Sequence, residues 1–216
     1  MKNNTVVYAV GGSVVQENLD QLQELTSALQ SNRQVVVVTG AGDLNRYQAA
    51  SSGNKGEKDL IGIKATRLHA QTVLTEMDET YGKIPETPEE IKEAASTGQN
   101  IVMGGLVPGY STDAVAATVA ELLDAKLYIA TTVDGIYTDD PQSNQEAEKL
   151  DKINISRLIN MVSGKNKPGK YSVIDESAAR IIQRSKIQTL VFKAETENIS
   201  SPEESSHTRI EFTEEE

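Results

Sequence analysis

Short apolar runs alternate with amphipathic stretches along most of the chain. Residues 6–10 and the four valines at 35–38 are continuous apolar runs, which are typical of strands buried on both faces of a parallel sheet. The stretch between them predicts a helix over residues 17–31, because leucines recur there at helical spacing. We expect one stripe of this helix to face a core: Leu19, Leu22, Leu25 and Leu29.

The alternation continues through the rest of the chain. Further helices are predicted near residues 59–79, 88–97, 112–123, 155–163 and 175–185, and strands at 101–103, 127–131 and 187–192. An Asp-Gly pair within residues 133–138 predicts a hairpin. Residues 164–170 and the Glu-, Ser- and Thr-rich residues 194–208 predict solvated loops, and 210–212 an edge strand. Because strands alternate with helices, we expect an α/β sandwich with a largely parallel sheet.

Composition excludes several classes of protein. The 216 residues suffice for one sizeable core, and no apolar run approaches the roughly 20 residues of a membrane span, so no membrane association is expected. The first residues lack the anatomy of a signal peptide. There is no cysteine, and the two histidines are far apart, so thiolate and histidine metal sites are not expected. A net charge of −11 argues against nucleic acid as the main partner.

Three predicted strands end in glycine-rich turns. Glycines at the carboxyl ends of parallel strands allow the backbone to approach a phosphate and to direct N–H groups at it. Each turn alone is better explained by a tight turn without a ligand. Together they favour a cradle for a polyphosphate, formed by Gly11, Gly12 and Ser13, by Gly40, Ala41 and Gly42, and by Gly104 and Gly105.

Two common phosphate-binding motifs are absent. The run that follows residues 35–38 begins like a dinucleotide-binding fingerprint, but Asn45 stands where its third glycine would be. No GxxxxGK[ST] sequence occurs, which excludes a P-loop. Phosphate chemistry therefore requires another architecture.

Residues 104–141 combine a small-residue helix with a polar turn. Thr112 is a candidate N-cap and Asp113 a first-turn acid, and close packing of this helix on the sheet would bring Asp113 to the glycine turns. Taken alone, this pair is better explained by a simply capped helix. The hydroxyl and acidic residues of 131–141 follow a strand directly, which favours a ligand site over an exposed turn.

Five segments of the chain, in order and at similar spacing, resemble the archaeal uridylate kinases. They are GGS at 11–13, DLIGIKATRLHA at 59–70, PGYSTDAVAA at 108–117, TTVDGIYTDDP at 131–141 and VIDESAA at 173–179. The resemblance implies the amino-acid-kinase (carbamate-kinase-like) fold, a three-layer sandwich whose central, mainly parallel sheet lies between helix layers. It also implies a cytoplasmic homohexamer, a trimer of dimers, that transfers the ATP γ-phosphoryl group to UMP with Mg²⁺ held mainly through the ATP phosphates.

The same resemblance assigns roles to individual residues. It implies an acceptor lobe over about residues 1–125 and an ATP lobe over about 126–216 of a single domain. Arg46 and Asp113 would be catalytic, Asp113 by organising cations. ATP would be bound by Gly11, Gly12, Ser13, Gly42, Arg46, Thr131, Thr132, Tyr137 and Asp140. UMP would be bound by Gly40, Asp59, Gly105, Leu106, Val107, Pro108, Gly109, Tyr110, Ser111 and Thr112, with Thr112 addressing the uracil edge.

Some positions depart from the family pattern. Ala41 replaces a glycine, Asp43 stands near the predicted phosphates, and Thr132 replaces an asparagine. No lysine precedes the first glycines. The candidate cations are then three lysines, each of which is better explained as an ordinary surface lysine: Lys58, Lys167 and Lys170. Two alternatives therefore remain open. One is a kinase of this fold with another phosphate or carboxylate acceptor, and the other is a non-catalytic nucleotide or oxyanion binder similar to the molybdate-storage proteins.

Overall fold

The structure is a computed structural model that describes residues 5–30, 33–163 and 173–212; the predicted loop 164–170, with Lys167 and Lys170, lies outside the described residues. The strands are β1 (Thr5–Val10), β2 (Gln34–Thr39), β3 (Ile101–Met103), β4 (Lys126–Thr131), β5 (Ile136–Tyr137), β6 (Lys149–Leu150), β7 (Lys152–Asn154), β8 (Thr189–Lys193) and β9 (His207–Glu211). The helices are α1 (Gly12–Glu17), α2 (Leu22–Leu29), α3 (Asn45–Ala50), α4 (Lys55–Glu76), α5 (Pro88–Ser96), α6 (Thr112–Leu122), α7 (Ile155–Val162), α8 (Glu176–Ser185) and α9 (Thr196–Ser200). In these ranges, no helix is both long and apolar enough to cross a membrane.

Seven strands form one sheet in the order β3-β2-β1-β4-β8-β9-β7. The first five are parallel, with Val10 level with Thr39 on one side and with Ala130 on the other. Their carboxyl ends therefore meet at one edge of the sheet, where parallel α/β sheets bind ligands. This edge carries all three glycine turns and the start of the 131–141 segment.

Helices cover both faces of the sheet. Alternate residues of β1 point to opposite sides, so Val7 packs with α5, α6, α7 and α8, whereas Val6 and Tyr8 pack with α1, α2, α4 and α9. The four valines of 35–38 are fully buried between the two layers. The predicted sandwich, with a mainly parallel sheet between helix layers, is confirmed.

The predicted helix over residues 17–31 is wrong as a single element. Helix α1 ends at Glu17, a 3₁₀ turn covers Leu19–Gln21, and α2 begins at Leu22. Leu22, Leu25 and Leu29 are buried as expected, but the 3₁₀ turn rotates Leu19 outward and leaves it 53% exposed. The prediction failed because one helical phase was extended across this break.

Three C-terminal predictions also need correction. Residues 133–138 do not form a tight hairpin, since β5 pairs with β6 across the long connection 138–148. Residues 194–208 are not a simple solvated loop, because they contain α9, whose Ile199 is fully buried. The strand predicted at 210–212 is β9, which lies inside the sheet between β8 and β7 instead of at its edge. The edge strand on this side is β7, which was not predicted, and β3 is the edge strand on the other side.

Candidate active site

The first two glycine turns lie against each other, backbone to backbone. The N–H of Gly11 donates to the carbonyl oxygen of Ala130 at 3.3 Å, and the N–H of Gly40 donates to that of Val10 at 2.9 Å. A Cβ on Gly12 would lie 2.0 Å from the backbone nitrogen of Gly42, whose own φ of +52° favours glycine. The absence of side chains here is what lets the two turns meet.

Helix α4 fixes the second and third turns. The N–H of Gly105 donates to the hydroxyl of Thr66 at 2.7 Å, and the Gly105 carbonyl accepts two hydrogen bonds from the guanidinium of Arg67 at 3.2 and 3.1 Å. The buried ring of His69 is hydrogen-bonded through Nδ1 to the Gly40 carbonyl at 2.8 Å. One helix therefore sets the spacing between the turns that follow β2 and β3.

A cavity of about 270 Å³ opens between α3, α4 and residues 105–112, which we call the acceptor loop. It lies at the carboxyl ends of β2 and β3, beside the second glycine turn. Its lining is Ala41, Asn45, Gln48, Asp59, Gly62, Ile63, Thr66, Gly105, Val107, Tyr110, Ser111 and Thr112.

The carboxylate of Asp59 connects three elements around this cavity. Its Oδ1 accepts a hydrogen bond from Nε2 of Gln48 at 3.0 Å, and its Oδ2 accepts one from the N–H of Gly109 at 2.8 Å. Gly109 has a φ of +86°, a conformation that glycine adopts without strain. Asp59 thus ties α3 and the acceptor loop to α4.

Asp113 lies where the N-termini of α6 and α8 come together. Burial and, as the smaller cause, the nearby Asp175 carboxylate together raise the pKa of the Asp113 carboxyl to about 7. Asp175 is the N-cap of α8, accepting from Ser177 and Ala178 at 2.7 and 3.2 Å. The N-cap of α6 is Ser111, which accepts from the Ala114 N–H at 3.0 Å, so the prediction that Thr112 is the cap is wrong by one residue.

The Ser111 hydroxyl links the two helices. It donates to Oδ2 of Asp175 while accepting the Ala114 N–H. A side chain of the acceptor loop therefore contacts the cap of a helix from the C-terminal third of the chain.

Four of the residues predicted to bind ATP lie at the end of β4 and beyond it. Thr131 ends β4 beside Lys193 of β8, and Thr132 is exposed. The Tyr137 hydroxyl donates to Oδ1 of Asp134 at 2.7 Å, which raises the pKa of Tyr137. The Asp140 carboxylate closes the next turn by accepting from Gln142 and Ser143, both at 3.0 Å.

The structure brings some of the predicted residues together and leaves others apart. The acceptor residues in the cavity lining are Asp59, Gly105, Val107, Tyr110, Ser111 and Thr112. Gly40 is buried beneath Thr112, and Leu106 packs against the core next to α6. Arg46 is exposed on α3, with its guanidinium 5.3 Å from the ring centre of Tyr47. Asp43 is also exposed, and its N–H donates to Oε1 of Gln16 at 2.9 Å.

Several lining residues were missed by the sequence analysis. Gly62, Ile63 and Thr66 follow Asp59 on α4 at spacings of three, four and seven, which places them on one face of the helix. That spacing was a readable signal once Asp59 was singled out. Asn45 and Gln48 reach the cavity from the short helix α3 and had no comparable pattern.

Comparison with known proteins agrees with this geometry. The profile of the amino acid kinase family matches residues 4–193. The uridylate kinase of Archaeoglobus fulgidus is 38% identical over 203 residues, covering 90% of this chain and 93% of that protein. That of Methanococcoides burtonii is 39% identical over 198 residues, covering 86% of this chain and 85% of that protein.

The fold comparison points the same way. A crystal structure of uridylate kinase from Archaeoglobus fulgidus matches with a TM-score of 0.86 at 36% identity, covering 98% of this chain and 100% of that one. The expected amino-acid-kinase fold is thereby confirmed. The chain belongs to the amino acid kinase family and, within it, to the archaeal uridylate kinases.

Proposed function

We propose that this protein transfers the γ-phosphoryl group of ATP to UMP, giving ADP and UDP. The support is its similarity, over about nine-tenths of its length, to proteins named uridylate kinase. The observation that carries the proposal is the cavity between α3, α4 and the acceptor loop, because it opens directly beside the glycine turns. An acceptor bound there would present its phosphate to a polyphosphate held by those turns.

The proposed division of labour follows the sheet. UMP occupies the cavity at β2 and β3, with its sugar near Asp59 and its base under the acceptor loop near Thr112. The ATP phosphates lie at the turns after β1 and β2, and its nucleoside lies past β4, near Thr131 and Tyr137. Residues from about 1–125 then supply the acceptor half of the site, and residues from about 126–216 the nucleoside half.

The chemistry proposed requires positioning and charge neutralisation but no covalent intermediate. An oxygen of the UMP phosphate attacks the γ-phosphorus while the bond to the bridging oxygen of ADP breaks. Backbone N–H groups of Gly12 and Gly42 stabilise the phosphate oxygens. Gly11, whose N–H donates to the Ala130 carbonyl, would lie beneath them. Arg46 is one residue from Asn45 in the lining, and its exposed side chain can turn from Tyr47 toward the transferred group, where a planar guanidinium suits phosphate oxygens.

Magnesium fits this site as an ion held mainly by phosphates and water. Among the described residues there is no group of three or more acids and histidines that could hold a metal by itself. Mg²⁺ usually keeps several waters and binds to only one or two carboxylates besides substrate phosphates. When bound, it would neutralise charge on the phosphates, and the nearby Asp113 carboxyl would orient it or a neighbouring cation.

We also propose that the protein is a homo-oligomer, a hexamer built as a trimer of dimers. The exposed face of α4 carries Leu60 and Leu68, 51% and 58% exposed, and Tyr47 on α3 is 56% exposed. Exposed apolar side chains on adjacent elements are typical of subunit contacts. Light scattering after gel filtration tests the assembly.

The cytoplasm, where UMP and ATP meet, is the compartment that we propose.

A coupled assay for ADP tests the activity. We expect steady ADP formation from ATP with UMP and Mg²⁺, and we expect slower turnover with CMP or dUMP. Preferred turnover of isopentenyl phosphate would instead indicate another acceptor for the same fold. Tight binding of ATP without turnover on any acceptor would indicate a non-catalytic nucleotide binder.

A further inference from the structure

Gln48 lines the cavity but belongs to neither the glycine turns nor the acceptor loop. It lies on α3, is partly buried, and extends its side-chain amide across the cavity wall toward α4. Its Nε2 donates to Oδ1 of Asp59 at 3.0 Å. Its Oε1 lies over Gly62, where a Cβ would approach that oxygen to 3.0 Å. The missing side chain at position 62 leaves the space that this amide occupies.

The consequence is a carboxylate with a fixed orientation. Asp59 is held on one oxygen by Gln48 and on the other by the N–H of Gly109 at 2.8 Å. An ionised carboxylate has about four acceptor positions, so two opposed donors fix its plane and leave further lone pairs for a ligand. Because Asp59 lines the cavity, those lone pairs are available to hydroxyl groups bound there.

We propose that Gln48 is a positioning and specificity-determining residue for the acceptor, because it orients the Asp59 carboxylate toward the ribose hydroxyls of UMP. This inference rests on the proposed function. Asp59 contacts the sugar, and Gln48 acts through Asp59. A fixed carboxylate can accept from both the 2′ and 3′ hydroxyls, so the pair favours UMP over dUMP. Loss of Gln48 leaves Asp59 held from one side only.

The test compares Gln48→Met with Gln71→Met, a matched control on the exposed face of α4. Methionine keeps the length of glutamine but cannot donate the hydrogen bond. For Gln48→Met we expect KM and Kd for UMP to rise about 10-fold to 100-fold, the scale of one hydrogen bond to a charged group. KM for ATP should change by less than about twofold, because in this proposal neither Gln48 nor Asp59 contacts ATP. The preference for UMP over dUMP should shrink, and Gln71→Met should resemble wild type.

A double-mutant cycle separates positioning from general support of the fold. If Gln48 acts through Asp59, adding Gln48→Met to Asp59→Asn should weaken UMP binding little beyond Asp59→Asn alone. Additive losses, an equal rise in KM for ATP and UMP, or an unchanged UMP to dUMP ratio would each overturn the proposal. Calorimetric Kd values keep the two claims distinguishable. Wild-type protein that binds UMP without turnover would refute the kinase activity, while the ratio of Kd values would still decide the role of Gln48.

Discussion

Neighbouring glycines in the first turn have different structural reasons. A Cβ on Gly11 would meet only the Val14 side chain at 3.6 Å and the Ala130 carbonyl at 3.9 Å, which are ordinary contacts. A Cβ on Gly12 would lie 2.0 Å from the nitrogen of Gly42 and 2.5 Å from the carbonyl carbon of Ala41. The second glycine therefore permits a close approach of two backbones, and the first is compatible with a small side chain.

The substitutions Gly11→Ala and Gly12→Ala should accordingly differ in stability. We expect Gly12→Ala to lower the free energy of unfolding by about 3 kcal/mol or more, since the clash involves backbone atoms of two packed turns. Gly11→Ala should change it by less than about 1 kcal/mol. Urea unfolding followed by circular dichroism measures both. A loss below about 1 kcal/mol for Gly12→Ala as well would show that the two turns move apart readily.

At the scale of elements, tertiary packing and not the spacing of apolar residues determines which side chains are buried. Leu19 belongs to a regular leucine series, yet it is 53% exposed on a 3₁₀ turn. Ile199 stands in a polar stretch without any periodicity, yet it is fully buried against the layer that contains α2. In addition, the buried Tyr8 hydroxyl donates to the Ile199 carbonyl at 3.2 Å.

Truncation of these two side chains should reverse the order that the sequence suggests. Ile199→Ala should cost about 2–5 kcal/mol of unfolding free energy, because it leaves a cavity in a closed core. Leu19→Ala should stay within about 0.5 kcal/mol, as at other exposed positions. Thermal melts at matched concentration compare them. A large loss for Leu19→Ala would indicate that its exposed face is covered in an assembly.

These elements show which parts of the structure were predictable. The buried strands and their order relative to the helices followed from local patterns, since 35–38 is apolar throughout and α4 and α5 are regular. The strand β9 and the helix α9 did not, because their places depend on partners far away in sequence, such as β7 and Tyr8. Only part of the cavity lining could be predicted. The motif residues of the acceptor loop were predicted from the sequence, whereas Gln48 could be found only from its hydrogen bond to Asp59, which no residue spacing indicates.

At the scale of the whole molecule, Asp113 couples the two proposed halves of the site. It lies in the first turn of α6, and the Asp175 carboxylate that faces it caps α8. The Ser111 hydroxyl joins the same two helices. Hydrogen bonds to Asp175 thus hold the N-termini of α6 and α8 together, while the repulsion between the Asp113 and Asp175 carboxylates acts against this contact.

This opposition predicts how stability depends on pH in the absence of Mg²⁺ and nucleotide. Burial, with Asp175 nearby, raises the pKa of Asp113 from 3.8 to about 7. Between pH 3.8 and about pH 7 the folded protein binds more protons than the unfolded chain. The stability that this carboxyl contributes is therefore fully present below pH 3.8 and is lost as the pH rises to about 7. The loss approaches about 4 kcal/mol, at 1.36 kcal/mol for each pH unit.

Asp113→Asn should remove that pH-dependent loss, because asparagine does not ionise. We expect the difference in unfolding free energy, variant minus wild type, to increase steadily from about pH 4 to pH 7 and then to level off, as linkage requires for a group that titrates in this range. Urea unfolding across this range measures the difference. Asp175→Asn should lower the pKa of Asp113 only slightly, because burial is the larger cause of its raised value, so the wild-type decline should end at a slightly lower pH. Parallel stability curves for wild type and Asp113→Asn would mean that Asp113 is already ionised in the folded protein across this range. Asp113 could then organise a cation without any bound cation being needed to ionise it.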